Sequence, residues 1–207
     1  TKESQLQNGI YSDIPKATLN EWFEKWMDIY KSNLKLTTRE LYTRYWNNYV
    51  RESNIGNMRI DRIKRVHIVE LYKELLENKE LATATVHTLH VIIYGCFEDL
   101  VQDNALQSNP AKKAFSRIGK RPAKKREPLT VKQQENFITF VSESPTYRVY
   151  LPMFSFFLGT GVRVSELMGL TWKDIDLFQG SVSINHAMHY TNVNGKMTYH
   201  VNTTKSD

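Results

Sequence analysis

The sequence has one cysteine, no long apolar run and no internal repeat of fixed period. A lone cysteine, Cys96, cannot close an internal disulfide, which excludes a disulfide-built scaffold and fits a reducing, cytoplasmic compartment. Its setting, Ile93-Tyr94-Gly95-Cys96-Phe97, reads as packed helix interior rather than as a reactive thiol. A mean hydropathy of −0.50 and the lack of a long apolar stretch argue against a membrane span. No signal-peptide pattern is present, and the chain begins at Thr1 rather than at a methionine, so it is expected to be a piece of a longer product.

What is present points to an anionic partner. The 207 residues suffice for two modest domains or one large one, and 41% hydrophobic residues can supply cores. Lys and Arg number 28 against 22 Asp and Glu, a net charge of +6. Nucleic acid fits this balance better than a membrane surface, because no segment joins a basic face to a strong exposed apolar one.

The chain is organised around the run from Leu158 to Asp176, Leu-Gly-Thr-Gly-Val-Arg-Val-Ser-Glu-Leu-Met-Gly-Leu-Thr-Trp-Lys-Asp-Ile-Asp. Gly159 and Gly161 pinch the chain where the apolar segment Val149 to Leu158 stops, and both are expected to take backbone angles that a Cβ disfavours. A short helix follows, with Val164, Leu167, Met168 and Leu170 expected to bury one face. Arg163 and Glu166 stand at i and i+3 on one side of it. A guanidinium at the exit of such a turn, near helix N-terminal amides, can hold a phosphate through forked hydrogen bonds. A surface ion pair beside a helix cap is the alternative from spacing alone.

In chain order, residues 1–15 read as a tail or linker. Thr18-Leu19-Asn20-Glu21 has the capping-box pattern, and Leu19, Trp22, Phe23, Trp26, Ile29 and Tyr30 follow at helical spacing as a core face. Thr37-Thr38-Arg39-Glu40 repeats the pattern and predicts a second helix to about Arg51, with Leu41, Tyr45, Trp46, Tyr49 and Val50 inward. Arg39, Thr43, Arg44 and Asn47 fall largely on its other side, either against DNA or as a solvated face. A third helix lies within 60–79, clearest from Val66, after the basic run Arg62, Lys64, Arg65. A fourth runs from Thr83 to about Asn104, with Val86, Leu89, Ile93, Phe97, Leu100 and Val101 inward. Thr85 and His87 are its DNA-facing candidates. Neither His87 nor His90 has a neighbour at metal-ligand spacing.

Asn109-Pro110 ends this bundle. Residues 111–127 then hold Lys112, Lys113, Arg117, Lys120, Arg121, Lys124, Lys125 and Arg126 with no acid before Glu127, which predicts an extended basic strap along a DNA backbone. Order restarts with a third capping box, Thr130 to Gln133, and a helix carrying Phe137, Phe140 and Val141 inward. The segment from Tyr147 to Leu158 is apolar nearly all round, as for a helix at a domain centre. After Asp176 the period becomes two: Ser181 to Asn185 predicts a strand, Asn194-Gly195 a turn and Met197 to Thr203 the return. His186 and His189 stand three apart on this strand and so point to opposite faces, which disfavours a shared metal.

Thr-Gly-x-Arg-x-x-Glu-Leu followed by Gly-Leu-x-Trp-x-Asp-Ile-Asp resembles the first catalytic box of the tyrosine recombinases, the phage integrase family. The resemblance implies a mainly α chain: a four-helix, SAM-like core-binding domain at 16–110, a linker at 111–127, and at 128–207 the N-terminal part of an α+β catalytic domain with a small β-hairpin. It further implies that helices two and four face the major groove, that Arg163 contacts the scissile phosphate and that Glu166 supports it. Thr203-Thr204-Lys205-Ser206 resembles the tip of the family's hairpin, which makes Lys205 the candidate general acid. The family's His-x-x-Arg box and tyrosine nucleophile have no counterpart among these residues: His186-Ala187-Met188-His189 ends in the wrong residue, and Tyr190 and Tyr199 precede Lys205. The chain by itself is therefore expected not to cut DNA. In the complete protein the resemblance implies strand cleavage and rejoining without metal or nucleotide cofactor, by four protomers on two attachment sites, with accessory DNA-bending or directionality proteins as further partners. It also implies an arm-binding domain ahead of Thr1 and a monomeric state for a fragment lacking the later segment.

Overall fold

A computed structural model describes residues 16–119, 127–193 and 196–203. The chain divides into two units, Thr1–Lys124 and Lys125–Asp207.

The first unit is helical. Helices α1 (Leu19–Ile29), α2 (Leu36–Tyr49), α3 (Arg65–Glu77) and α4 (Thr83–Gln102) enclose one core. The Thr18 hydroxyl accepts from the Glu21 amide at 3.2 Å, and the Glu21 carboxylate accepts from the Thr18 amide at 2.8 Å, so the first capping box forms as its spacing predicts. The second does not. Helix α2 starts one residue before Thr37, with Lys35 at the cap and no side-chain cap bond, because the Lys35 carbonyl already accepts from Thr38 and Arg39. Three tryptophans anchor the core, each with its indole N–H satisfied: Trp22 donates to the Cys96 carbonyl at 2.9 Å, Trp26 to Asp99 at 2.6 Å and Trp46 to Asn20 at 2.9 Å. Trp46 stacks on Phe23 with centroids 4.0 Å apart. Each fully buried side chain of the Leu, Ile or Phe kind contributes about 1.5–3 kcal/mol by leaving water. Ile29, expected inward, is 65% exposed at the last position of α1, and Met27 is buried in its stead.

The start of the expected strap belongs to this core. Ala111, Ala114 and Ile118 are buried in it, and Phe115–Arg117 form a turn of 3-10 helix. Their i, i+3, i+7 spacing puts the apolar residues on one side and leaves Lys112, Lys113 and Arg117 exposed. Buried Asn109 pins the segment: its amide donates to the Tyr94 carbonyl at 3.1 Å and to Glu98 at 2.7 Å, and its oxygen accepts from the Ala111 amide at 2.8 Å.

The second unit comprises α5 (Val131–Glu143), α6 (Leu151–Thr160), α7 (Val164–Gly169) and two small antiparallel sheets. Strand β1 (Ile175–Asp176) pairs with β2 (Ser181–Val182), and β3 (His186–Val193) pairs with β4 (Lys196–Thr203), with His186 opposite Thr203. The return strand thus pairs with His186–Val193, not with Ser181 to Asn185 as its alternation predicts; Asp176 and Gly180 close a tight turn that uses up Ser181 and Val182 first. Asn194 and Gly195 lie outside the described residues. The third capping box forms, Thr130 with Gln133. Burial differs from expectation: no residue of α6 is buried, Phe140 is 60% exposed, and Phe137 meets Phe154 edge-on at 5.1 Å.

Candidate functional site

Gly161 takes φ +68°, the left-handed value that ends α6, and its amide donates to the Phe157 carbonyl at 3.0 Å. Gly159, in contrast, is an ordinary helical residue. Two residues after Gly161, Arg163 is extended and forms the cap of α7, so it precedes that helix. Its backbone N–H donates to Glu166 Oε2 at 2.8 Å and its Nη1 donates to Glu166 Oε1 at 2.7 Å. The arginine's amide is therefore committed to the carboxylate and is not left for a ligand. Hydrogen bonds from the Arg163 amide and then from its guanidinium hold the Glu166 carboxyl below the usual range.

The exposures of this pair are unequal. The Arg163 side chain is 69% exposed and that of Glu166 is 9%. One corner of the guanidinium rests on a buried anion, while Nε and Nη2 have no partner among the described residues. This is a charged fork held from behind, with its remaining donors open to a planar or tetrahedral oxyanion. The apolar residues of α7 are not its most buried members: Val164 and Met168 are exposed and Leu167 half-buried, and the buried members are Glu166 and Gly169.

Gly169 closes the other end. A Cβ there would lie 3.1 Å from the Met188 amide nitrogen and 3.2 Å from His186 Cδ2, so glycine lets β3 approach. His186 Nε2 is 2.7 Å from the Gly169 carbonyl oxygen and 3.7 Å from Asp174 Oδ2. Asp174 accepts from the Thr171 hydroxyl at 2.7 Å and amide at 2.8 Å, and these bonds, with His186 a lesser cause, hold its carboxyl below the usual range. Asp176 accepts from the amides of Phe178 and Gln179, each at 2.9 Å. The acids after Glu166 in the Leu158–Asp176 run are thus turn and cap formers. The role of His186 is missed by sequence reasoning, since its contact spans seventeen positions and no local pattern announces it.

In the first unit the candidates separate into engaged and free. Arg39 donates to the Met27 carbonyl at 3.1 Å and to Asp28 at 2.7 Å, which ties α2 to the end of α1. Thr43 donates to the Arg39 carbonyl, and Asn47 accepts from Arg51, which also pairs with Glu24. Arg44 is exposed with no partner among the described residues. Thr85 is half-buried on α4, and His87 is exposed with its ring edge-on to Phe115 at 4.9 Å. His90 is half-buried, meeting Tyr72 Oη at 3.1 Å, and burial pushes its imidazole below the usual range. Lys112 and Lys113 are exposed on the packed turn. Lys120, Arg121, Lys124, Lys125, Arg126 and Lys205 lie outside the described residues. Among the described residues no cluster of His, Cys, Asp or Glu could hold a metal, and no helix is long and apolar enough to cross a membrane.

A four-helix unit followed by a caged arginine and a hairpin matches known proteins throughout. Residues 18–76 match the phage integrase N-terminal SAM-like domain, and residues 127–205 match the phage integrase family. The chain belongs to the phage integrase, or tyrosine recombinase, family. It is 26% identical over 172 residues to a tyrosine recombinase XerC-like protein of Caldanaerobacter subterraneus subsp. tengcongensis, covering 83% of this chain and 44% of the relative. It is 25% identical over 191 residues to the transposase from transposon Tn916 of Enterococcus faecalis, covering 90% and 46%. The chain therefore spans less than half the length of these relatives. Among solved structures, the Tn1549 transposon integrase in complex with circular intermediate DNA superposes with a TM-score of 0.77 at 25% identity, over 90% of this chain and 59% of that one. A lambda integrase dimer bound to a COC' core site shares the fold, with a TM-score of 0.64 at 16% identity, over 96% and 51%.

Proposed function

We propose that this chain is the DNA-gripping and arginine-bearing portion of a site-specific DNA recombinase, one that cuts and rejoins duplex DNA through a 3′-phosphotyrosyl intermediate. The observation that carries it is the exposed Arg163 fork held by a buried Glu166. The structure of the Tn1549 transposon integrase in complex with circular intermediate DNA supports double-stranded DNA as the partner. In this reading residues 16–110 are a core-binding domain whose core also takes in the start of the basic connection at 111–127, and 128–207 are the first part of a catalytic domain. Arg44, His87, Lys112 and Lys113 meet the duplex with Thr43, Asn47 and Thr85 nearby, and Lys120, Arg121, Lys124, Lys125 and Arg126 follow its backbone. Arg39 acts there chiefly by bracing α2.

In the reaction, a tyrosine oxygen supplied by the complete protein attacks the scissile phosphorus. The new bond is P–O(Tyr), and the bond to the 5′ oxygen breaks. Arg163 donates to the non-bridging oxygens, where charge builds in the transition state. Lys205 gives a proton to the departing 5′ oxygen. A 5′ hydroxyl from the partner duplex then reverses the step, so the phosphodiester energy is conserved in the covalent link. The working assembly is a homotetramer on two sites.

The test is a duplex nicked beside the cleavage position, incubated with the complete gene product. A protein–DNA adduct that survives denaturing detergent is expected, and its absence across the attachment-site sequences flanking the gene overturns the reading. A steep fall in duplex affinity of the 207-residue chain with added salt is expected as well, and a flat dependence favours a helical protein-interaction module.

A further inference from the structure

Helix α7 is six residues long, a rod of about 9 Å. Of its own apolar side chains, Val164 and Met168 face solvent and Leu167 is half-buried. Its first end is closed by the bonds between Arg163 and Glu166, a contact internal to the cap and first turn. The second end touches the rest of the unit: Gly169 lies against the backbone of β3, and its carbonyl, which has no intrahelical partner, meets His186 Nε2 at 2.7 Å. A carbonyl oxygen only accepts, so Nε2 carries the proton and the tautomer is set by this bond.

His186 also sits where three pieces converge. Its ring is 3.7 Å from Asp174, which is itself locked to Thr171, and its Nδ1 meets the Asn185 side chain. Its backbone opens the eight-residue ladder of β3 and β4. We propose that His186 is the positioning residue for Arg163: by donating Nε2–H to the Gly169 carbonyl it anchors the arginine-bearing helix to the hairpin and so sets where the guanidinium meets the scissile phosphate. The inference rests on the recombinase reading. It adds a residue that never touches DNA and acts only through α7, so its loss moves the fork without removing it.

The test uses the complete gene product with its nicked end substrate and three variants, His186→Phe, His186→Gln and Arg163→Ala. The Phe variant keeps a flat ring and loses the donor; in the Gln variant the side-chain amide nitrogen stands near the position of Nε2. The expected result for the Phe variant is a cleavage rate at saturating DNA lower by roughly ten- to a hundred-fold, the scale of a sub-ångström to 1 Å misplacement, with DNA affinity unchanged. The Gln variant is expected to recover most of that rate. Wild-type cleavage by the Phe variant while Arg163→Ala is dead overturns the inference and leaves the recombinase reading standing. Equal losses for Phe and Gln also overturn it, since the donor is then not what matters. Full cleavage by Arg163→Ala sinks the reading and the inference together. Should the Phe variant fail to fold, His186→Asn, whose amide is too short to reach the carbonyl, takes its place with the same expected loss.

Discussion

Trp46 in the first unit has none of its surface exposed and stacks on Phe23, whereas Trp172 in the second keeps 83% of its surface. The contrast runs through both units. Helices α1, α3 and α4 each bury an apolar stripe in one cluster, while in the second unit the buried residues among those described are Val141, Ala187, Glu166 and Gly169. Two of these four belong to the arginine site. The first unit is held by its core, and the local geometry around Arg163 is held by caps, a close glycine contact and carboxylates. The difference matters for function, because a site built on directional hydrogen bonds is set atom by atom, whereas a core fixes helices as bodies.

The largest effect that can break this comparison is at the two tryptophans. Trp46→Ala is expected to cost about 3–5 kcal/mol and Trp172→Ala no more than about 0.5 kcal/mol, read by chemical denaturation followed through helical circular dichroism. Comparable losses would mean that the second unit is as core-dependent as the first. Next come the two glycines of the turn. Gly161→Ala is expected to destabilise the second unit by roughly 1–2 kcal/mol because of its positive φ, while Gly159→Ala, in helical backbone with open space around it, should stabilise by about 0.5–1 kcal/mol. Thermal melts of the pair check the sign.

Smaller still are the caps. Thr18→Ala and Thr130→Ala should each cost about 1 kcal/mol, while Thr37→Ala, whose hydroxyl caps nothing, should cost only a few tenths. The finest effect is on pH. Hydrogen bonds from Arg163 depress the Glu166 carboxyl, so its contribution to stability is fully present above the ordinary glutamate range near pH 4.3 and is lost as pH falls through the lower folded value. Carboxyl-carbon NMR should show Glu166 titrating below the ordinary glutamate range, and an unshifted midpoint would contradict the caged pair.

Much of this was legible in the residues themselves. Helical spacing marks the four helices of the first unit, and the capping boxes at Thr18 and Thr130 form as written. The box at Thr37 misled because the Lys35 carbonyl can start the helix without it. Charge in residues 111–118 hid a second pattern, the alanines and isoleucine that carry the segment into the core. In the second unit, apolar runs predicted burial that Phe140, Val164 and Met168 do not have, since hydrophobicity says what a residue prefers and not which surface is there to receive it. Arg163 and Glu166 were legible as a pair because their contact is three residues long. His186 was not, because only the folded hairpin brings it to Gly169.

The proposed function divides the labour, with duplex grip in the helical unit and phosphate chemistry at Arg163. It is tested most directly by measuring, for Arg163→Ala in the complete gene product, duplex affinity and covalent adduct formation side by side. Affinity close to wild type with the adduct gone is the expected result; affinity and adduct lost together, or both retained, would overturn that division.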